Sequence, residues 1–463
     1  MTHVHLIGMG GSGLSAIARL LLERGYVVSG SDQQASAATE ELARLGARVE
    51  VGHRAENIQG ADLVVRSSAV ADENPEVQAA QAAGIPVLKR SDFLGGLMAE
   101  NVTVAVAGTH GKSTTTAMIA WMLTALGQEP SYIIGGVAKN LGSNAHAGQG
   151  PVFVIEADEY DRMFLGLNPD VAVVTHVEHD HPDCFPTPAD YYQAFGEFVG
   201  RLRAGGLLLA CADQQGAVGL VEAAPPACTA LTYGLKPGAN YRAHITGSRP
   251  GLGLSFRAAL LLESGAEAPL AEVHLQVPGE HNVRNALAAL AVAHHLGLDV
   301  NAAADALGQF SGTGRRFDVL GEAGGVVVVD DYAHHPTEIR TTLAGARSRY
   351  AGRRIWAVWQ PHTYSRTQLL LDEFAQSFAD ADRVIVTEIY AAREKPQDFS
   401  SAAVVTKMSG VQAQYVRQLH EAAALLLAEA APGDVILVLS AGDATQVSAQ
   451  VLAGLRTRGG EHA

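Results

Sequence analysis

Short apolar runs alternate with amphipathic stretches along the first hundred residues of the chain. Residues 4–7, 26–32 and 61–70 are apolar enough for buried strands, and residues 12–25 repeat their apolar positions with the period of a helix. Strands that alternate with helices predict a parallel sheet covered by helices. We therefore predict an α/β fold that begins with a Rossmann-like domain at residues 1–98.

The alternation then starts afresh with three further predicted strands, at residues 102–107, 152–159 and 171–181. The last two of these end in acidic residues and histidines, which places polar side chains where open parallel sheets bind ligands. Residues 228–278 are rich in Gly and Pro with short alternating runs, so we predict a small antiparallel patch there. Together these features predict a central parallel-sheet domain at residues 99–313.

In the last part of the chain, buried strands are again followed directly by polar residues. The pattern occurs at residues 326–336, 353–361, 382–389 and 434–442, with amphipathic stretches between them. This pattern predicts a doubly wound α/β domain at residues 314–463. Three domains agree with a prior of roughly one domain per 150 residues.

Charge and cysteine content narrow the possible partners and the compartment. The formal net charge of −15 argues against nonspecific binding to nucleic acid or to anionic membranes. A phosphate site must therefore gather its positive charge locally. The three cysteines lack the spacing of a metal site or a disulfide framework, which favours a reducing cytoplasm. The N-terminus does not resemble a signal peptide, and no apolar run is long enough to span a bilayer.

The stretch GTHGKST at residues 108–114 is a shortened form of a phosphate-binding loop. It follows a predicted strand and opens a predicted helix, so backbone N–H groups and the helix N-terminus would attract phosphates. Lys112 would supply a point charge to the β- and γ-phosphates of ATP, and Ser113 or Thr114 would hold Mg²⁺. The predicted ATP-binding residues of this loop are Gly108, Thr109, His110, Gly111, Lys112, Ser113 and Thr114.

A magnesium ion beside this loop needs further ligands from the same edge of the sheet. Glu156 ends one predicted strand, and the cluster EHDH at residues 178–181 ends the next. His181 would be either a metal ligand or a residue that orients one. From the residues alone, the candidate metal-linked positions are Ser113 or Thr114, Glu156 and His181.

The first glycine loop, with Gly8, Gly10 and Gly13 in the spacing G-x-G-x-x-G, has two interpretations. It fits a nicotinamide-dependent dehydrogenase, with Asp32 at the distance expected of a ribose-binding acid. It fits the binding of a UDP group equally well. ATP in the second loop would have no role in hydride transfer. A nucleotide-linked substrate in the first domain and ATP in the second explain both loops.

Seven motifs in their order along the chain identify it as similar to the Mur ligases. They are HLIGMGGSGLSAIA, GTHGKSTTT, EADEYDRMFL, GEHNVRNALAAL, GTGRRFD, DDYAHHPTEI and QPHTYSR. The resemblance covers nearly the whole chain. It implies three domains that bind the UDP substrate, ATP and the amino acid, and a role in making peptidoglycan precursors in the bacterial cytoplasm.

The activity that the resemblance implies is the joining of L-alanine to the lactyl carboxylate of UDP-N-acetylmuramate. ATP and Mg²⁺ would convert the carboxylate into an acyl phosphate, which the amine of alanine then attacks. One alternative is a sister ligase that recycles the cell-wall tripeptide onto the same UDP-sugar. Alternatives from other classes are the dehydrogenase and a noncatalytic nucleotide-binding regulator. No general base for the amine is evident, and the oligomeric state stays open.

The family motifs also imply roles for individual residues of this sequence. The implied catalytic residues are Lys112, Glu156, His181 and Arg316. Asn282 and Asn285 would contact adenine or ATP, although Asn282 would also serve as a helix cap. Arg316, in preference to Arg315, would reach the ATP phosphates, and Asp331 would contact the ribose.

The two other ligands have implied sites of their own. The amino-acid site would comprise Tyr332, His362 and Arg366, with a guanidinium suited to bidentate capture of the alanine carboxylate. Gly10, Gly11 and Ser12 would lie against the diphosphate. The candidates around uridine or phosphate are Asp32, His53, Ser67 and Ser68.

Overall fold

The computed structural model describes residues 2–248, 252–392 and 394–460, and these form an α/β fold built on three sheets. The strands are β1 (His3–Ile7), β2 (Val27–Asp32), β3 (Arg48–Val51), β4 (Leu63–Arg66), β5 (Val87–Lys89), β6 (Val102–Ala107), β7 (Ser131–Ala138), β8 (Ser143–His146), β9 (Val152–Glu156), β10 (Val171–Val174), β11 (Leu207–Cys211), β12 (Thr229–Gly234), β13 (Tyr241–Ser248), β14 (Leu254–Leu261), β15 (Glu267–His274), β16 (Asp318–Ala323), β17 (Val326–Asp331), β18 (Ile355–Gln360), β19 (Arg383–Val386), β20 (Gln412–Tyr415) and β21 (Val435–Ser440).

Helices connect most of these strands. They are α1 (Ser12–Glu23), α2 (Ala37–Arg44), α3 (Pro75–Ala82), α4 (Arg90–Leu97), α5 (Lys112–Ala125), α6 (Pro188–Val199), α7 (Gln215–Val218), α8 (Glu280–His295), α9 (Val300–Gly308), α10 (Pro336–Arg349), α11 (Tyr364–Leu369), α12 (Leu371–Ala375), α13 (Ala402–Lys407), α14 (Leu419–Glu429) and α15 (Thr445–Gly460). Short 3-10 helices cover Ala55–Ile58, Tyr160–Gly166 and Val221–Ala223. In the described ranges, no helix has both the length and the apolar character that crossing a membrane requires.

The first sheet is parallel, with the strand order β3-β2-β1-β4-β5. The carboxyl ends of β1, β2 and β4 therefore meet at one edge, which is where the first glycine loop enters α1. This arrangement agrees with the predicted Rossmann-like fold. The sequence pattern missed the short strands β3 and β5, which have only partly buried side chains.

The central sheet has the order β15-β14-β13-β12-β11-β10-β6-β9-β7-β8. Its core strands pair in parallel, and β10 and β11 are buried at every residue, as expected for a sheet covered on both faces. The predicted antiparallel patch is confirmed for β13 to β15. However, β12 pairs in parallel with both β11 and β13, and β7 with β8 forms a second antiparallel pair that the sequence pattern did not predict.

The third sheet has the order β16-β17-β21-β18-β19-β20. All neighbouring strands pair in parallel except β16 and β17, which are antiparallel. Helices cover both faces, since two separate apolar clusters lie on opposite sides of the sheet. The predicted α/β class is therefore confirmed, whereas the domain boundaries at residues 98 and 313 stay a prediction.

Three predicted strands were too long, because their polar ends form loops. β4 ends at Arg66, since the chain turns at Ser67, where the carbonyl oxygen accepts the N–H of Val70 at 3.0 Å. β9 ends at Glu156 and β10 at Val174. The segment after β10 crosses to the phosphate loop, where the N–H of Thr109 donates to the carbonyl oxygen of His176 at 2.5 Å.

The buried apolar clusters do not separate the three sheets equally. One continuous cluster of buried side chains covers the central sheet and includes α1 of the first sheet. In the described part of the chain, neither cluster of the third sheet contains a residue from the central sheet. Since apolar burial is the dominant cohesive force between elements, the first and central sheets are held together more firmly than the third.

Gly30 provides a test of the packing in the first sheet. A methyl group at this position in β2 would lie 2.5 Å from the carbonyl oxygen of Leu6 and 2.5 Å from Sδ of Met9. Because the backbone oxygen cannot yield without disturbing β1, we expect Gly30→Ala to lower the free energy of unfolding by about 1–3 kcal/mol. Urea unfolding of the variant measures this loss.

Gly96→Ala is the control for this substitution. Gly96 is exposed in α4, and a methyl group there has no neighbour within 4 Å. Alanine is favoured over glycine by about 1 kcal/mol inside a helix, so this variant should be as stable as the unsubstituted protein or slightly more so. Equal unfolding midpoints for the two variants would contradict the packing argument.

Candidate active site

The phosphate loop between β6 and α5 is shaped by Gly111 and by two threonines. Gly111 has a left-handed backbone with a φ of 84°, and α5 begins at the next residue. Thr175 Oγ1 donates to the carbonyl oxygen of His110 at 2.6 Å, and Thr109 Oγ1 lies 2.9 Å from the hydroxyl of Tyr191. These contacts hold the loop against the segment that follows β10, so the N-terminus of α5 faces the carboxyl edge of the sheet.

Lys112 is held inside the loop by the protein itself. Its Nζ donates to the carbonyl oxygen of Gly108 at 2.6 Å and lies 2.8 Å from Oε2 of Glu159. Burial alone would lower the pKa of Lys112, but the carboxylates of Glu159, Asp158 and Glu156 raise it, so the amine is cationic. Burial opposes the charge of Glu159 as well, yet Lys112 and His181 lower its pKa to about 2.

Ser113 and Glu156 lie together, as predicted from the sequence. Ser113 Oγ donates to Glu156 Oε1 at 2.9 Å, and the N–H of Gly135 donates to Glu156 Oε2 at 2.6 Å. Burial raises the pKa of Glu156 despite the nearby Lys112. His181 has a left-handed backbone with a φ of 55°, and its Nε2 lies 3.6 Å from Oε1 of Glu159. Glu159 thus connects Lys112 with His181, a role the sequence analysis missed.

A cavity of about 190 Å³ opens between the phosphate loop, α8 and the third sheet. Of the predicted ATP-binding residues, it is lined by His110, Gly111, Ser113, Thr114, Asn282, Asn285, Arg316 and Asp331. Additional lining residues include Thr175, His176, Gln214, Tyr233, Arg284 and Glu338. Glu338 lies within the motif DDYAHHPTEI and could have been proposed, whereas Gln214 and Tyr233 carry no signal in the sequence.

The two arginines before Phe317 have different partners. Arg315 donates from Nη2 to the carbonyl oxygens of Ser440 and Gly442 at 2.7 and 3.2 Å. Arg316 lines the cavity, and its Nη1 lies 3.2 Å from Oε1 of Glu338. This difference agrees with the preference for Arg316 as the residue directed at ATP.

Asp331 ends β17 and faces the same cavity. Its carboxylate accepts the N–H groups of Phe317 and Ala333, both at 2.7 Å. Burial raises the pKa of Asp331 to about 6, although Arg316 and the two N–H groups act against this rise. The carboxylate therefore holds two backbone segments in place beside the cavity: the one that follows Arg316 and the one that follows β17.

A group of histidines and glutamates joins the central sheet to the third sheet. Glu178 Oε1 lies 2.5 Å from Nε2 of His110 and 3.1 Å from Nδ1 of His335. His110, Glu178 and His335 place one ligand atom each within 4.8 Å of one another, a geometry that would also suit a metal ion. In the structure their charges are matched by contacts among themselves and with Glu338.

The three predicted amino-acid-binding residues form one neighbourhood. The ring of His334 lies 5.3 Å from that of Tyr332 and 5.8 Å from that of His362, so it connects the two. Arg366 Nη1 donates to the carbonyl oxygen of His362 at 2.7 Å. Its Nε and Nη2 donate to Oδ1 of Asp180 at 2.9 and 2.8 Å. Arg366 is therefore already paired with a protein carboxylate from the central sheet.

The predicted UDP-substrate residues lie at the carboxyl edge of the first sheet. The N–H of Gly10 donates to Asp32 Oδ2 at 2.9 Å, Ser12 begins α1, and Gly11 and Ser68 are exposed. Ser67 follows β4 at the same edge, as its N–H donates to the carbonyl oxygen of Ile7 at 3.1 Å.

Two more side chains complete this edge. The His53 ring is engaged by other side chains of the protein: it lies 3.0 Å from the buried Ser31 and 3.4 Å from Glu76. Arg90, which the sequence analysis missed, places Nη1 against Gly13 and pairs with Asp158 at 3.3 Å.

Three family models match successive parts of the chain. They are the Mur ligase family catalytic domain at residues 3–101, the Mur ligase middle domain at 106–293, and the Mur ligase glutamate ligase domain at 315–442. The UDP-N-acetylmuramate–L-alanine ligase of Renibacterium salmoninarum is 43% identical, over 98% of this chain and 96% of that protein. The enzyme of the same name from Paenarthrobacter aurescens is 44% identical, over 96% of this chain and 94% of its own.

Solved structures agree with these matches. The crystal structure of UDP-N-acetylmuramate-alanine ligase MurC from Thermotoga maritima has a TM-score of 0.81 at 28% identity, over 99% of this chain and 100% of that one. A murein peptide ligase from Psychrobacter arcticus has a TM-score of 0.71 at 26% identity, over 98% and 99%. The resemblance carried by the seven motifs is thus confirmed, and the chain belongs to the Mur ligase family of ATP-dependent ligases.

Proposed function

We propose that this chain joins L-alanine to the lactyl carboxylate of UDP-N-acetylmuramate at the expense of ATP, as a step in peptidoglycan precursor synthesis. The observation that carries the proposal is the convergence of the phosphate loop, Arg316 and Asp331 on one cavity. This convergence occurs in a chain related over nearly its full length to alanine ligases. Free cysteines at positions 184, 211 and 228 accord with a reducing compartment, and we assign the reaction to the cytoplasm.

The proposed first step transfers the γ-phosphoryl group of ATP to the lactyl carboxylate. Two anions must approach each other, so the enzyme acts mainly by positioning them and by neutralising charge. Lys112 is a buried cation on the phosphate loop, and Arg316 faces the same cavity from the third sheet. We assign both to the phosphates, with Asn282 and Asn285 on the adenine side and Asp331 on the ribose.

The residues beside the loop fit a magnesium ion. Mg²⁺ prefers oxygen ligands, and the Ser113 hydroxyl and the half-buried Glu156 carboxylate present two of them 2.9 Å apart. We therefore assign Ser113 and Glu156 to the ion, with His181 as a further ligand or as the residue that orients Glu159. A magnesium ion held there would offset part of the negative charge of the phosphates.

In the proposed second step, the amine of alanine attacks the acyl carbon and phosphate leaves. Tyr332, His362 and Arg366 are assigned to the amino acid. Because Arg366 is bound to Asp180, the alanine carboxylate must share or replace that partner. In this proposal the amino acid binds where Arg366 of the third domain meets Asp180, which follows β10 of the central sheet.

The UDP-linked substrate is assigned to the edge of the first sheet. Gly10, Gly11 and Ser12 would meet the diphosphate, because the N-terminus of α1 favours anions there. Asp32, Ser67 and Ser68 would surround the nucleotide. His53 would support this site indirectly, because its ring contacts Ser31 and Glu76. We propose domains at residues 1–98, 99–313 and 314–463 for the UDP substrate, ATP and the amino acid.

A second candidate is ligation of a peptide instead of alanine. The solved murein peptide ligase supports it, because its backbone matches nearly the whole chain. The two candidates share the first step and differ in the acceptor amine. Alanine is favoured because the curated relatives of that name are 42–44% identical over nearly full length.

The proposal is tested by phosphate release from ATP in the presence of UDP-N-acetylmuramate and one of three acceptors. We expect release with L-alanine and much less with the cell-wall tripeptide or with no acceptor. Lys112→Ala should reduce the rate by at least about 100-fold, because a buried charge on the phosphates is lost. Release with the tripeptide alone would support the second candidate. Tight NADH binding without any ligation would return the chain to the dehydrogenase alternative.

Gly135 tests the position of the Glu156 carboxylate. A methyl group on Gly135 would lie 2.6 Å from Oε2 and 2.7 Å from Oε1 of Glu156, so Gly135→Ala must push the carboxylate away from Ser113. We expect a fall in kcat of about 10-fold or more and a higher magnesium requirement, since misplacing a group by about 1 Å can cost this much. Steady-state kinetics across magnesium concentrations measure both.

The neighbouring glycine supplies the matched control. A methyl group on Gly136 has its nearest neighbour at 3.8 Å, the carbonyl oxygen of Gly314. Gly136→Ala should therefore keep the activity of the unsubstituted enzyme within about twofold, as expected for a substitution that removes no contact. Similar kinetics in the two variants would mean that Glu156 does not act where we assign it.

A further inference from the structure

Glu338 is the third residue of α10, and one of its oxygens has an ordinary helix-capping role. Oε2 accepts the N–H groups of His334 at 3.0 Å and His335 at 3.3 Å. His335 precedes Pro336, which takes the first helical position, so HHPTE forms a capping box with proline at the start. These contacts explain why a glutamate is favoured here, and they use only one of its two oxygens.

The second oxygen of Glu338 reaches out of the helix to two cationic groups. Oε1 lies 3.2 Å from Nη1 of Arg316 and 3.2 Å from Nδ1 of His110. Arg316 precedes the third sheet, whereas His110 belongs to the phosphate loop of the central sheet. The carboxylate is 9% exposed and lines the nucleotide cavity. Helix capping requires neither of these contacts, so Oε1 serves the site and not the helix.

His110 lies between two carboxylates from different parts of the chain. Its Nδ1 faces Glu338 and its Nε2 faces Glu178 at 2.5 Å. The Nδ1 atom is buried and makes no hydrogen bond, and Oε1 of Glu338, at 3.2 Å, is the carboxylate oxygen that faces it, so a proton on Nδ1 lies beside a negative charge. Burial would lower the pKa of His110, but Glu338 and Glu178 raise it to about 9.

The other titratable groups around His110 do not replace this effect. The rings of His176 and His335 have their centroids 5.2 and 4.9 Å away, and each also faces Glu178. Arg316 approaches from the third sheet through Glu338. Of the two carboxylates in contact with His110, only Glu338 therefore also holds the arginine assigned to the ATP phosphates.

We propose that Glu338 is a positioning residue for phosphoryl transfer, which holds Arg316 and cationic His110 side by side at the ATP phosphates once the third sheet has docked. The inference rests on the proposed function and adds a residue to it. Two cations directed at one ligand repel each other, and a carboxylate between them reduces this repulsion and fixes their spacing. Glu338 carries the same charge sign as the phosphates, so its effect passes through the two cations that its Oε1 contacts.

The test replaces the carboxylate by its amide. Glu338→Gln keeps the size of the side chain and one oxygen for the helix cap but removes the charge. We expect the KM for ATP to rise about 10-fold or more, as for the loss of a charge-assisted contact of ~1.5–3 kcal/mol. The KM for UDP-N-acetylmuramate should stay within about twofold, because its assigned residues lie at the edge of the first sheet and Glu338 lies on α10 beside the third.

The pH profile separates this role from a purely structural one. With Glu338 present, His110 stays protonated until the pH approaches about 9. In Glu338→Gln its pKa falls, so kcat/KM for ATP should decline at a lower pH than in the unsubstituted enzyme. Proton NMR of the His110 ring in both proteins follows the same titration without any turnover.

Glu421 provides a matched control in the same part of the chain. It is the third residue of α14 and accepts the N–H of Gln418 at 3.2 Å, so it has the same capping role far from the site. Glu421→Gln should leave the KM for ATP and the pH profile unchanged. The inference is overturned if Glu338→Gln behaves like Glu421→Gln in an enzyme that is otherwise active.

A second variant covers the case in which Glu338→Gln does not fold. Glu338→Asp keeps the charge but shortens the side chain, so it should raise the KM for ATP while changing the pH profile much less. An unchanged KM for ATP in this variant would also overturn the inference. If the unsubstituted protein releases no phosphate with any acceptor, the proposed function fails instead, and the His110 titration still reports whether Glu338 holds its proton.

Discussion

Charge matching at the carboxyl edge of the central sheet is the constraint on which the site depends. Lys112 is paired with Glu159 and Arg366 with Asp180, both with little exposure to water, and His110 is paired with the more exposed Glu178. Leaving one partner of such a buried pair alone costs about 3–5 kcal/mol, so each cation needs a carboxylate nearby. In a chain of net charge −15, this is how a phosphate site can be both cationic and stable before its ligands arrive.

The same pairs determine how the parts of the molecule meet. The first and central sheets share an apolar core, whereas the third sheet meets the central one through polar contacts such as Arg366 with Asp180 and His335 with Glu178. When such a contact opens, both charged partners can pair with water or with ligand groups, whereas exposed apolar surface finds no replacement partner. Apolar burial thus unites the first two sheets, and ion pairs and hydrogen bonds contribute to the contact with the third.

The sequence was most informative where chemistry and local structure coincide in one short segment. The phosphate loop, Glu156 and Asp331 each end or follow a strand, and parallel sheets bring such ends together. The ends of the strands were harder to predict. An apolar run does not show where the hydrogen bonds between strands stop, as happens before Ser67. Which charged residues pair with one another was the hardest to predict. Asp180 and Arg366 lie 186 positions apart, and no periodicity indicates that they meet. Glu159 and Glu338 stood inside motifs already noted, but their cations could be identified only in three dimensions.

The contact between Gly13 and Arg90 bears on how glycine motifs are interpreted. A guanidinium from the start of α4 lies in the space that a methyl group on the third glycine of G-x-G-x-x-G would need, so a larger residue here would have to displace that side chain. The glycine motif therefore indicates only where the backbone needs free space. Other residues determine which nucleotide binds beside it. Positions 13 and 90 should consequently vary together among related proteins, and a dehydrogenase with the same three glycines has no reason to keep that arginine.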